Sequence, residues 1–287
     1  MSLASGDLTT LAVIKGYIAS APSDAILSGL VTRVSRMMQS AMNRPLLVPR
    51  AYAEQYDGTG TAQLVLPNWP VLSISSLTVS GVSVPLAPQP LAPSFFNGPY
   101  GYRFQPWNGM PPGDPAVVQL IGGFYRYGSQ SVLFSYTAGY QVTGEVPNAA
   151  IYPPLVPWGS WATDQGVTYS SSGASLTPTT GSTSPSAGSY IPPAPAAATP
   201  TYDYLFNSTD VSAGLLINYG YIPADVEQAA IEFISERASY RNRVGIRSQS
   251  LAGQEVMSYN LAGITDFVKQ TLREYISVIP PATGAAV

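Results

Sequence analysis

Between Ala25 and Asn43 the apolar residues Ile26, Leu27, Leu30, Val34, Met37, Met38 and Ala41 recur at spacings of three and four, the period of a helix with one buried face. Asn43-Arg44-Pro45 stops the run. Directly afterwards the period falls to two, with Tyr52, Glu54 and Tyr56 alternating with smaller residues. A chain that opens on one period and continues on the other must lay helices against sheet. Helical spacing returns after Ile222-Pro223, where Val226, Ala229, Ala230, Phe233, Ile234 and Arg237 trace a second stripe reaching about Arg241. A last helix over 263–276 carries Ile264, Phe267, Val268, Leu272 and Tyr275. The expected fold is α+β: terminal helices forming a small helical bundle, an antiparallel β-rich central lobe, and a long Pro/Ser/Thr/Gly-rich insertion.

Finer punctuation can be read between these segments. Asp7 is placed to cap a first helix carrying Leu8, Leu11, Ile14, Tyr17 and Ile18, and Ala21-Pro22-Ser23-Asp24 interrupts it and offers a fresh N-cap. Met37 and Met38 read as core filler. Asp57-Gly58-Thr59-Gly60 is a strong turn signal, so a hairpin is expected, its return strand running from Ala62 to Leu66. As a lone motif it reads as a turn and not as a calcium loop. Further strands are expected at Val71 to Val79, Val82 to Val84, Val117 to Ile121, Ser131 to Tyr136 and Gly214 to Tyr219, with a Pro- and aromatic-rich loop over 85–115.

The stretch 148–213 is dominated by Pro, Ser, Thr, Ala and Gly, and 173–200 is close to low complexity. Such composition does not by itself bury enough apolar surface to become ordered, so a disordered loop, an arm ordering on a neighbour or an added ordered β-rich lobe is expected, the last two being favoured over simple disorder. Trp158, Trp161, Tyr202, Tyr204 and Phe206 flank it and favour the arm; they are the candidate inter-subunit contacts. The expected organisation is a helical core of 1–57 and 220–287, a β-rich lobe of 58–147, and an insertion of 148–219 that ends in a returning strand.

Composition narrows the chemistry. The 287 residues contain neither His nor Cys, which removes the common zinc sites, the Ser-His-Asp and Cys-His nucleophiles and all thiol chemistry. Carboxylates, tyrosines, Lys15 and Lys269 remain, and neither lysine follows a Gly-x-x-x-x-Gly spacing. No two acids form a recognisable motif, so no catalytic, cofactor-binding or metal-binding residue is assigned and no enzymatic activity or cofactor is expected. The charged fraction is 10%, against an ordinary value of about 25%. A surface so poor in charge suits burial in an assembly, because little has to be desolvated when two such surfaces meet. A net charge of −3 gives no basic field for nucleic acid. With no apolar stretch of about 20 residues and no basic start at Met1 to Thr10, synthesis in the cytoplasm and no membrane association are expected.

No Lys or Arg occurs from Tyr127 through Glu236, while Glu145, Asp164, Asp203, Asp210, Asp225, Glu227, Glu232 and Glu236 do. Either the segment simply lacks cations, or it forms an acidic or neutral channel wall past which a phosphate backbone slides. The dense basic cluster is Arg241-Asn242-Arg243-Val244-Gly245-Ile246-Arg247.

In this order, the segments resemble the head-tail connector, or adaptor, family of tailed bacteriophages. The likeness is carried by the Asp7-Leu8-Thr9 start, the Ser23-Asp24 turn and the Asn43-Arg44-Pro45 stop. It continues in Tyr56 to Gly60, Leu64 to Pro70 and the strand Val71 to Val79, and then in Tyr136-Thr137-Ala138-Gly139-Tyr140, Pro223 to Arg241, Arg243 to Gln254 and Thr265 to Tyr275. About half the chain is covered. Compact members pass from the Gly-Tyr strand end to the Pro-initiated helix almost directly, whereas here Val146-Pro147-Asn148 only begins that way and Tyr221-Ile222-Pro223-Ala224-Asp225 follows the long insertion. The resemblance implies a homo-oligomeric ring, usually a homo-dodecamer, in the virion neck. It would sit between the portal protein and the stopper or tail-completion protein, with DNA passing transiently through its lumen. Arg241, Arg243, Arg247, Tyr275 and Ile276 become the portal-docking candidates, guanidinium groups being suited to interface carboxylates. Two other readings stay open: a carbohydrate-binding or fibre-like β-rich virion protein, suggested by Trp69, Trp107, Trp158 and Trp161, and a carboxylate-based hydrolase.

Overall fold

The fold is that of a computed structural model, which describes residues 6–18, 22–44, 46–87, 100–105, 117–181, 184–195, 200–240, 248–251, 255–258 and 265–277. The chain opens with helices α1 (Leu11–Tyr17) and α2 (Asp24–Ala41). Strands β1 (Arg50–Gly58), β2 (Gln63–Val65), β3 (Val71–Val79), β4 (Val82–Ser83), β5 (Gly101–Gln105), β6 (Val117–Ile121) and β7 (Gly128–Ala138) follow. Next come β8 (Gln141–Glu145), β9 (Ile151–Tyr152), β10 (Gly159–Tyr169), β11 (Thr177–Pro178), β12 (Ser189–Ile191), β13 (Tyr204–Phe206), α3 (Ser208–Ala213) and β14 (Leu215–Pro223). The chain continues through α4 (Ala224–Tyr240), β15 (Ser248–Leu251), β16 (Glu255–Ser258) and α5 (Asp266–Glu274). The class is α+β, as expected.

Two compact units form, one of Met1–Pro45 with Val142–Ile276 and the other of Leu46–Gln141 with Ser277–Val287. These divisions differ from 1–57, 58–147 and 148–219 for reasons visible in the pairing. All of β1 belongs to the sheet of β7, which places 46–57 in the second unit. The insertion belongs to the first unit because β10 pairs along its length with β14.

In the second unit, β7 runs antiparallel to both β1 and β3, so Tyr136 stands opposite Tyr52 and Ile74, and Phe134 opposite Glu54 and Leu77. A second sheet has the order β2-β6-β5. One core draws on both sheets, including Leu64, Leu77, Tyr102, Val118, Tyr125, Val132, Phe134 and Tyr136. The hairpin expected at Asp57-Gly58-Thr59-Gly60 does not form. The nine residues of β1 find a longer partner in β7, while Gln63–Val65 pairs with β6, so the turn is a corner between sheets. Asp57 Oδ1 accepts the Gln130 N–H at 2.7 Å, and Gly60 donates to the Tyr125 carbonyl.

Gly139, inside the Tyr136 to Tyr140 motif, has φ +141°, and a Cβ there would lie 2.5 Å from backbone atoms of Val48 and Pro49. Neither neighbour can swing away as a side chain would. Gly139→Ala is therefore expected to cost about 3 kcal/mol, read as a fall in the urea midpoint.

In the first unit, α4 is the element the others pack on: α1, α2 and α5 all contact it, as do β10 and β14. Its Val226, Ala229, Ala230, Phe233 and Ile234 are fully buried. On α2, Leu27, Val31, Val34 and Met38 face inward. Met38 is the core filler expected, whereas Met37 is exposed. Helix α1 starts later than expected and Thr10, not Asp7, caps it, accepting the Val13 N–H. Asp7 accepts instead from the Thr32 hydroxyl at 2.9 Å, which ties the leading segment to α2. Ser23 occupies the α2 N-cap position without a side-chain cap bond.

The described part of 148–213 is folded, as an ordered β-rich lobe and not as a disordered loop. Tyr152, Val167, Leu176, Tyr190, Tyr204 and Phe206 form a core with Leu215, Ile217 and Tyr219 of β14. Each large aromatic removes roughly 150–250 Å² from water, so a few of them, widely spaced, suffice. The Gly, Ser and Pro residues between them supply turns.

Candidate interaction surfaces

The chemistry of this chain is concentrated in carboxylates ringed by tyrosines. In the second unit, the Tyr56 and Tyr136 hydroxyls both donate to Glu54 Oε2, the latter at 2.5 Å. Asn68 Nδ2 donates to Glu54 Oε1 at 3.0 Å and contacts the Tyr136 hydroxyl at the same distance. Tyr52 stacks on Tyr136 with ring centroids 5.4 Å apart. In the first unit Asp164 accepts from Tyr190 at 2.5 Å and from Tyr204 at 2.9 Å, and Trp161 Nε1 donates to the Tyr204 hydroxyl at 3.2 Å. Glu145 accepts from the Tyr219 hydroxyl and from the Leu155 N–H. Asp210 accepts from Tyr169 at 2.7 Å and the Gly188 N–H at 2.9 Å.

Burial, and then the neighbouring carboxylate, push the hydroxyls of Tyr56, Tyr136, Tyr190, Tyr204 and Tyr219 well above the ordinary tyrosine value. Tyr152 is pushed up to about 12, by burial first and Glu145 second. Charge-assisted bonds of this kind are roughly twice as strong as neutral ones. They take the place that cations would occupy as partners in a segment without Lys or Arg.

This pattern answers the question posed by the cation-free run. Glu145, Asp164 and Asp210 are acceptors inside the fold, Asp225 takes the Tyr275 hydroxyl on both oxygens at 2.8 and 2.7 Å, and Glu227 takes the Thr9 and Ser160 hydroxyls. The acids serve internal hydrogen bonding far more than they make a uniform outward wall.

The residues singled out from the sequence separate accordingly. Arg241, Arg243, Arg247 and Trp107 lie outside the described residues. Tyr275 is held by Asp225, and Ile276 is exposed. Of the arm candidates, Tyr204 and Phe206 are buried in their own unit's core and Trp161 is half-buried, because the insertion supplies its own aromatic partners. Trp158 and Tyr202 remain at the surface.

Sequence reasoning overlooked other exposed apolar residues. Val146, Ile151 and Leu155 project from the Pro-rich stretch that leads to Trp158, and Val82, Tyr100, Phe124 and Tyr127 from the second unit. The available signal was Pro153-Pro154-Leu155-Val156-Pro157-Trp158, where prolines deny the large apolar residues a regular buried face. An open groove of about 320 Å³ in the second unit is lined by Val79, Val82, Tyr100, Leu120, Phe124 and Arg126. The Arg126 guanidinium lies 5.9 Å from the centroid of the Phe124 ring.

No family model matches the sequence, and no curated protein matches it. Two solved structures are similar in part. A chain described as "Neck of native GTA particle computed with C12 symmetry" aligns at 14% identity and TM-score 0.30, covering 49% of this chain and 69% of its own. One described as "Neck of empty GTA particle computed with C6 symmetry" aligns at 13% identity and TM-score 0.37, covering 98% of this chain and 96% of its own. At these scores and identities neither likeness carries the role of those particles over to this chain.

Proposed function

We propose that this chain is a structural virion protein of the tailed-phage type, an adaptor subunit that assembles into a ring in the neck. In this reading it joins the portal to the stopper or tail, lets DNA pass through its lumen, and works by binding and not by catalysis. The observation that carries it is the meeting of the two chain ends on which the sequence resemblance rests. Helices α1 and α2 from one end and α5 from the other all pack on α4, which begins directly after Pro223. The long insertion is accommodated between them as a folded part of the same unit.

Two further observations favour binding. Glu54, Glu145, Asp164, Asp210, Asp225 and Glu227 are engaged by hydroxyl or backbone donors, an arrangement that suits structural acceptors better than the paired acid and base of a hydrolase. Among the described tryptophans, Trp69 is buried and Trp161 half-buried, so they serve the fold and only Trp158 is exposed. Native mass spectrometry of the purified chain, alone and with portal oligomers, tests the reading. Defined multiples of the 30.3 kDa subunit are expected. A monomer in both conditions, joined by glycan-array binding, would move the assignment to the carbohydrate-binding alternative.

A further inference from the structure

The stretch Ile151 to Trp158 is built unlike an ordinary surface loop. Val156, a β-branched residue, sits at φ +38°, a left-handed conformation that is kept only where its surroundings impose it. Here two bonds impose it. The Val156 N–H donates to the Tyr219 hydroxyl at 3.0 Å, and the preceding Leu155 N–H donates to Glu145 at 2.9 Å, while the same tyrosine donates to the same carboxylate. Farther along, the Trp158 carbonyl accepts the first N–H of α4. The strap is thus fixed at several backbone points, and what it presents outward is apolar: Ile151 is 63% exposed, Leu155 71% and Trp158 53%. A rigid ridge of large apolar side chains loses little further freedom when it is covered, as an interface anchor requires.

We infer that this strap seats in the Val82–Tyr100–Phe124–Arg126 groove of a second copy of the chain and forms the head-to-tail contact of the ring. The inference rests on the ring reading above and names the two faces it needs. Three observations select a second copy as the occupant. Ridge and groove lie on different units of one chain, so every copy carries both halves of a heterologous contact, the arrangement from which closed rings are made. Their local charges are opposite. Glu145 lies directly behind the strap as the acceptor of the Leu155 N–H, in a run without Lys or Arg, whereas the groove carries Arg126. Both surfaces are also apolar, with Ile151, Leu155 and Trp158 on the strap and Val82, Tyr100, Leu120 and Phe124 in the groove, so each can cover the other.

The absence of native cysteine allows a direct test. Leu155→Cys and Val82→Cys are prepared separately, mixed, and treated with a short bis-maleimide. The mixed Leu155-to-Val82 dimer is expected to exceed both like-with-like dimers several-fold, and the double variant should give a ladder ending in a closed species. Oligomers by native mass spectrometry with equal or no mixed cross-linking would overturn the surface assignment and leave the ring standing. Absence of any oligomer, with or without portal, would remove both. Mixed cross-links that only grow into open polymers would uphold the contact and count against a closed neck ring.

Discussion

Asp164→Ala is expected to remove about 2–5 kcal/mol of stability from the first unit, because two hydroxyls lose an acceptor together, each at about 1–3 kcal/mol. Tyr190 is 1% exposed and Tyr204 not at all, so a replacing water has to enter through the space that the half-buried Asp164 carboxylate leaves. The neighbouring donor does not help: Trp161 Nε1 gives a hydrogen to the Tyr204 oxygen and takes none. Asp164→Asn, which keeps one acceptor oxygen, should cost less. Tyr190→Phe and Tyr204→Phe should be milder when combined with Asp164→Ala than in the native chain, because the bonds they delete are already gone. Urea denaturation followed by tryptophan fluorescence reads all of these, with Trp161 as a reporter beside the cluster. An unchanged midpoint in Asp164→Ala would show that the cluster contributes nothing.

The second large effect is alkaline unfolding. Tyr56, Tyr125, Tyr136, Tyr190, Tyr204 and Tyr219 are all raised above the ordinary value of 10.0, burial being the first cause in each. As pH passes 10 the unfolded chain releases these protons and the folded chain keeps them. The folded state then binds more protons, and its stability falls with rising pH. Stability is complete below about pH 10 and declines by about 1.4 kcal/mol per pH unit for each fully retained proton. Discounted severalfold for partial solvent screening, six such protons remove about 3–6 kcal/mol by about pH 12, which matches the lower end of a stability of about 5–15 kcal/mol and brings unfolding into reach there. Tyrosinate absorbance and far-UV circular dichroism should therefore change together in one steep step. A broad tyrosine titration centred near pH 10 with the circular dichroism intact would contradict the clusters.

What could be read in advance depended on whether the determining contacts were local. Strands β3 and β6 were predicted at their observed bounds, and α4 within a residue of its own, since alternation, spacing and a flanking proline act within a few residues. The Asp57 corner shows the opposite case. Its turn was legible, but the choice of β7 as partner for β1 depends on residues some seventy positions later. The sequence left the insertion open between loop, arm and ordered lobe because average composition hides its few aromatics: Tyr152, Tyr190, Tyr204 and Phe206 meet only in the folded chain, and nothing near Asp164 in sequence announces its two tyrosines. Trp161 and Tyr204 read as sticky surface groups for the same reason. Leu155, without helical or alternating neighbours, gave no periodic signal, and its prominence follows from the bonds that hold Val156.

The fold's economy follows from its charge. With few cations to pair, the carboxylates are satisfied by tyrosine hydroxyls, and the ion pairs Lys15–Asp24 and Lys269–Asp266 lie on the surface, where such pairs contribute about 0–1 kcal/mol. Faces with little charge to desolvate suit the assembly proposed above. The most direct measurement of that role is negative-stain imaging of the purified chain mixed with portal oligomers. The account predicts an added ring of density, coaxial with the portal and open at its centre. Portal particles unchanged at saturating chain, with the chain remaining monomeric beside them, would contradict it.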